Sequence, residues 1–206
     1  MKLTLDMNCV IDVEVGRPQA DAVKFLVELH RRGSIEVALL AVSASENMKS
    51  PGKATGRVFP SSFSVFRKKV ELIGWSDLPI VPVPMIVGLT YIGPNTYFVA
   101  KDGPIKSDID ALWAVIAPKV SREPRDYLIA GQILDDANIQ SEGLAKWRNA
   151  WCDVYSAYCH INAGRDVFVT SNTRDFQDNA SALLELGLHV IATPAKAVEL
   201  VQHLVR

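Results

Sequence analysis

Short apolar runs recur along this chain, with stretches of helical periodicity between them. They are Leu3-Thr4-Leu5, Ile35 to Leu40, Val167-Phe168-Val169 and Leu188 to Ile191. Strands covered on both faces read as continuous apolar runs, and parallel neighbours need a crossover, usually a helix. This alternation constrains the chain more than any other feature. It predicts an α/β fold, a mainly parallel β-sheet sandwiched by α-helices.

The first strand spans residues 2 to 6. Pro18 opens a helix carrying Val23, Leu26, Val27 and His30 on one face, and Gly33 stops it. After the second strand, "SASEN" starts another helix. Residues 51 to 62 read as a loop, followed by a helix with Phe63, Phe66, Val70 and Ile73 on one face. Pro79, Pro82 and Pro84 exclude a central strand in "LPIVPVP". The "GPN" turn predicts a hairpin between about 86–92 and 96–101, within an inserted hairpin or helical segment that covers about 88–123. Helices are expected over 126–137, 142–163 and 173–186, with a last one opened by Pro194.

At 206 residues one domain is expected, and a net charge of -1 gives no global basic field. Three cysteines without metal spacing favour free thiols and a reducing compartment. No apolar signal region opens the chain, and no run of about 18 apolar residues predicts a membrane span. The expected location is the cytoplasm.

In an open parallel sheet, ligands bind beyond the carboxyl ends of the strands. Asp6 and Asn8 follow the first strand, and Ser43, Ser45 and Glu46 follow the second. Thr170, Ser171, Asn172 and Asp175 follow "DVFV". Asp153 lies about 16 Å before Gly164 on the long helix, at a rise of ~1.5 Å per residue, which brings it level with that rim. Carboxylates converging in a dry pocket cannot all stay ionised without a cation. Mg2+ or Mn2+ suits oxygen ligands and can activate water against a phosphodiester. Each acid also has a plainer use: Ser43 with Glu46 fits a capping box, and Asn172 with Asp175 can cap a helix.

The order of these pieces resembles PIN-domain proteins. "LTLDMNCVID" is similar to their opening strand and Asp-x-Asn, and "VSASEN" to the segment of their second acid. "DVYSAYCHINAGRDVFVTSNTRDF" resembles their helix, Gly, strand and Thr-x-Asn signature. The likeness covers roughly residues 1–75 and 140–195. It implies a parallel sheet sandwiched by helices and Mg2+- or Mn2+-dependent cleavage of RNA. Carried over, it gives Asp6, Glu46, Asp153 and Asp175 as the metal-binding acids, with Asn8, Thr170 and Asn172 as supporting polar groups. Where some members carry Asp, this chain has Asn172, which leaves Asp175 as the fourth acid. Many small members are VapC-type toxins that bind an antitoxin and dimerise. This chain is longer than most of them, so the ribonuclease role carries more weight than the toxin role.

Between Asn47 and Val70 there is no acid, but there are Lys49, Lys53, Arg57, Arg67, Lys68 and Lys69, and Arg174 adjoins Asp175. These cations form a candidate RNA-binding surface through phosphate contacts. His160, which could be a metal ligand or proton carrier, reads rather as a satisfied core or surface residue, Cys9 as a small buried apolar residue, and Asp12 as a bystander. Two rival readings stand. One is a PIN-like module that binds RNA or protein without cutting it. The other is a haloacid-dehalogenase-type phosphatase, which would need Asp where this chain has Asn8.

Overall fold

A computed structural model of the protein describes residues 1–46, 63–86, 90, 94–99, 103–128 and 142–203. Its centre is a five-stranded, wholly parallel sheet built from β1 (Lys2–Leu5), β2 (Glu36–Leu40), β3 (Ile80–Val81), β6 (Val167–Val169) and β7 (Ile191–Ala192). The strand order is β3-β2-β1-β6-β7. Leu3 stands opposite both Val37 and Val167, and Leu5 opposite both Leu39 and Val169. All six are buried, as the apolar runs require for strands covered on both sides.

Two helices rather than one join β1 to β2. Helix α1 (Met7–Val15) starts directly after Asp6 and stops at Gly16, whose φ of 69° suits a residue without Cβ. Helix α2 (Ala20–Arg31) buries Val23, Leu26 and Val27. It packs on β2 and on α7 (Pro194–Gln202), which also lies against β6 and β7. Helix α5 (Glu142–Asn162) covers the Thr4 side of β1: His160 Nδ1 lies 3.0 Å from Thr4 Oγ1, and its ring meets Phe168 edge-on. Helix α3 (Phe63–Leu72) buries Phe66 and Val70, as its periodicity predicts.

Several expected elements take a different form. Within "SASEN", Ser43 to Ser45 belong to a 3-10 turn over Ala41–Ser45 capped by Glu46, and the continuation from Asn47 lies outside the described residues. The prolines allow β3, but only as a two-residue edge strand. The expected hairpin is absent from the described residues. Instead β4 (Val83–Pro84) pairs in parallel with β5 (Thr96–Tyr97). Val83 and Met85 donate to Asn95 and Tyr97, so Pro82 and Pro84, which have no N–H, fall at the alternate positions.

The segment 88–123, whose elements the periodicity left open, contains helix α4 (Gly103–Ile116). Ile109, Leu112, Trp113 and Ile116 are buried along one stripe, and the helix packs on α5. Of the helix expected over 126–137, Asp126 and Tyr127 belong to a 3-10 turn, Pro124–Tyr127, and 129–137 lie outside the described residues. The helix expected over 173–186 is split into a π-helical turn, Thr173–Gln177, and α6 (Ala180–Glu185). No helix of the described residues is long and apolar enough to cross a membrane.

Candidate active site

From β1 the sheet grows one way to β2 and β3, and the other way to β6 and β7. Strands β1 and β6 therefore flank the topological switch point, where open parallel sheets place their ligands. Asp6 follows β1 there and Thr170 follows β6. Both are almost wholly buried.

Asp6 is a helix cap and the centre of a polar network at once. Its Oδ1 accepts the N–H of Met7 at 2.7 Å, at the start of α1. Its Oδ2 accepts from the Thr170 hydroxyl at 2.7 Å and from Asn8 Nδ2 at 2.9 Å. Thr170 Oγ1 in turn accepts the N–H of Asn172 at 3.0 Å. Asn172 Nδ2 donates to Asp175 Oδ2 at 3.0 Å, while its Oδ1 accepts the Asp175 N–H. A continuous chain of hydrogen bonds thus runs from Asp6 to Asp175. Asn172 both caps the π-helical turn and orients the acid within it.

Above this network lies a cleft of about 430 Å³ lined by Asn8, Glu46, Asp153, Asn172 and Asp175, among others. Burial raises the carboxyls of Asp6, Glu46 and Asp153 above the usual carboxylate range, those of Glu46 and Asp153 strongly. The acids also act on one another: Asp6 and Asp153 push Glu46 further up, and Asp6 and Asp175 push Asp153 up. The hydrogen bonds from Thr170, Asn8 and Met7 work against burial at Asp6 and favour its anion.

The donor set fits a hard divalent cation, since it offers carboxylate oxygens that repel one another when ionised. As they stand, no three His, Cys, Asp or Glu side chains among the described residues are gathered closely enough to enclose an ion. Mg2+ does not ask for such a cage. It keeps several waters and is commonly held through one or two carboxylates.

Asp12 does not line the cleft, but it braces the loop beside it. It is buried, and it accepts from Ser171 Oγ at 2.5 Å and from Arg17 Nη1 at 3.4 Å. It ties α1 to the loop carrying Thr170 and Asn172. Its spacing from Asp6 on a helix that begins at residue 7 could have pointed to it. Asn149, one turn before Asp153 on α5, and Cys152, the residue before it, also line the cleft. A helical-face reading backward from Asp153 would have found Asn149.

The candidate RNA-binding cations divide. Lys49, Lys53 and Arg57 lie outside the described residues. Lys68 is exposed, and Arg67 is exposed but paired with Glu71. Lys69 is corrected: it is buried, and its Nζ is held by both carboxylate oxygens of Glu14, which commits its charge to the fold. Arg174 is exposed at the cleft and paired with Asp175 at 3.2 Å. His160 is a core residue whose burial lowers its pKa to about 4. Cys9 is buried, with Sγ 3.3 Å from the Val169 carbonyl, and burial holds its thiol far above its ordinary range.

Comparisons with protein-family models, with curated proteins and with solved structures find no match to this chain.

Proposed function

We propose that the chain is a PIN-like, Mg2+- or Mn2+-dependent ribonuclease that hydrolyses RNA phosphodiester bonds at the sheet rim. The observation that carries this reading is the cleft at the switch point of the sheet, lined by Glu46, Asp153 and Asp175 beside the buried, hydrogen-bonded Asp6. In this reading Asp6, Glu46, Asp153 and Asp175 hold the cation, one or two of them directly and the others through its waters. A bound divalent ion supplies Lewis acidity and a water acidic enough to act as hydroxide near neutral pH. Thr170 and Asn8 keep Asp6 anionic and aimed. Asn172 aims Asp175 through two hydrogen bonds, and the cleft admits the phosphodiester beside them.

The test is cleavage of a single-stranded oligoribonucleotide by metal-stripped protein. Activity should return with Mn2+ or Mg2+ and be lost in Asp6→Asn. Release of phosphate from a generic monoester, with Asp6 covalently modified, would favour the phosphatase instead. Both Asp6 oxygens already accept hydrogen bonds, and Asn8 is a donor that cannot serve as an acid, which weighs against that chemistry.

The Arg174–Asp175 pair favours one second reading, a PIN-like module that binds RNA without cutting it, because the arginine already neutralises the fourth acid. RNA binding without cleavage in any divalent metal would establish it.

A further inference from the structure

The acid cleft does not end at Asp153 and Asp175. It opens into a second depression of about 500 Å³, and the two share Asn149, Asp153, Arg174 and Asp175. They form one continuous groove. One wall of the extension is the carboxyl end of α4 and the turn after it, including Val115, Pro118 and Lys119. The other is the exposed face of α5, where Lys146, Asn149 and Asp153 lie three and four residues apart and therefore on one side of the helix.

Lys119 and Lys146 are both exposed and stand on opposite walls. Neither forms a salt bridge among the described residues, whereas Lys24, Arg31, Arg32, Arg67 and Lys196 all do. Two cations without salt bridges lining a partly apolar groove suit a chain that is anionic along its length and has flat apolar groups attached. Among the described residues no aromatic ring lines the extension, so they offer no base-stacking platform there.

We propose that this extension is the track for the backbone of single-stranded RNA on one side of the scissile phosphate, with Lys119 and Lys146 as phosphate contacts. The proposal rests on the ribonuclease reading above and names the path of its substrate. It also gives the inserted segment a task, because α4 builds the wall that turns an open rim into a groove. Phosphate contacts of this kind fix position without reading sequence.

The test is binding of a fluorescent single-stranded oligoribonucleotide to the full chain in EDTA, across a salt series. The variants are K119A/K146A and, as a control on other surfaces, K24A/K196A. The first should weaken binding about tenfold and reduce the slope of log affinity against log salt by about 1.4, at roughly 0.7 per single-strand phosphate contact. The control should match wild type, and thermal midpoints should show that both variants fold. Unchanged affinity and slope in K119A/K146A would overturn the proposal, as would equal or tighter lysine-dependent binding of duplex RNA.

Cleavage by the same samples with Mn2+ separates this proposal from the reading beneath it. Lysine-dependent binding without any cleavage would remove the nuclease and keep the track. Cleavage by K119A/K146A with an unchanged KM would remove the track and keep the nuclease.

Discussion

Thr170 and Asn8 donate to the same oxygen of Asp6, at 2.7 and 2.9 Å, while Met7 N–H takes the other oxygen. An ionised carboxylate has about four acceptor sites, so three donors leave about one for a cation. Thr170→Val keeps the shape but removes the hydroxyl, and it strands the Asn172 N–H as well. It should lower stability by about 2 kcal/mol in denaturant unfolding. It should also weaken Mn2+ binding by calorimetry, because the Asp6 anion loses a donor. Unchanged metal affinity would show that Thr170 only fills space.

Asp12 and Ser171 join α1 to the rim loop at 2.5 Å inside the protein. Asp12→Ala leaves the Ser171 hydroxyl without its acceptor and should cost about 2 kcal/mol. Asp12→Asn keeps an acceptor and should recover most of that loss. Equal losses in the two variants would mean that the charge, not the hydrogen bond, holds the loop.

Metal-free protein should grow less stable as pH rises through the neutral range. Asp6, Glu46 and Asp153 have folded pKa values above their ordinary ones, so the folded state holds protons that the unfolded chain has released. Their contribution is complete below about pH 4 and is lost as pH climbs through the raised values. His160 acts in the opposite direction. Its pKa falls from 6.5 to about 4, so it destabilises the fold as pH drops through that window. Above pH 6.5 the carboxylates are joined only at higher pH by the three buried thiols, whose raised pKa values act in the same direction. As pH climbs through the raised carboxyl values the thermal midpoint should fall without metal, and the gain on adding Mn2+ should increase, because the ligands must be deprotonated to bind it. A midpoint gain independent of pH would contradict the carboxylate site.

Lys69 provides a contrasting case. It is buried against Glu14, so Lys69→Ala should lower stability by about 3 kcal/mol. RNA affinity, measured under conditions where the variant is folded, should stay near wild type. Lost affinity with full stability would return Lys69 to the RNA surface.

The parallel sheet was legible because β1, β2 and β6 announce themselves as apolar runs, and Gly33 and Gly164 stop their helices where the pattern places the ends. Helix α4 was not: Ile109, Leu112, Trp113 and Ile116 have clean helical spacing, but they lie in the segment 88–123 that was read only as an inserted hairpin or helical segment. The β4–β5 pairing was beyond local reading: which strand Thr96 and Tyr97 pair with depends on tertiary contacts. In the site, Asp6, Glu46, Asp153 and Asp175 could be read from strand ends and helix length. Asp12 was passed over because its value comes from Ser171, 159 residues away. Lys69 was misread because a run of cations says nothing about which of them faces Glu14.

The central claim is that the rim acids share one divalent cation. The direct measurement is the anomalous scattering of Mn2+ in crystals of the protein. The account predicts a peak in the cleft within about 2.2 Å of carboxylate oxygens of Asp6 and of at least one of Glu46, Asp153 and Asp175, absent in Asp6→Asn. Saturating Mn2+ with no peak in that cleft, or a peak that Asp6→Asn leaves in place, would contradict it.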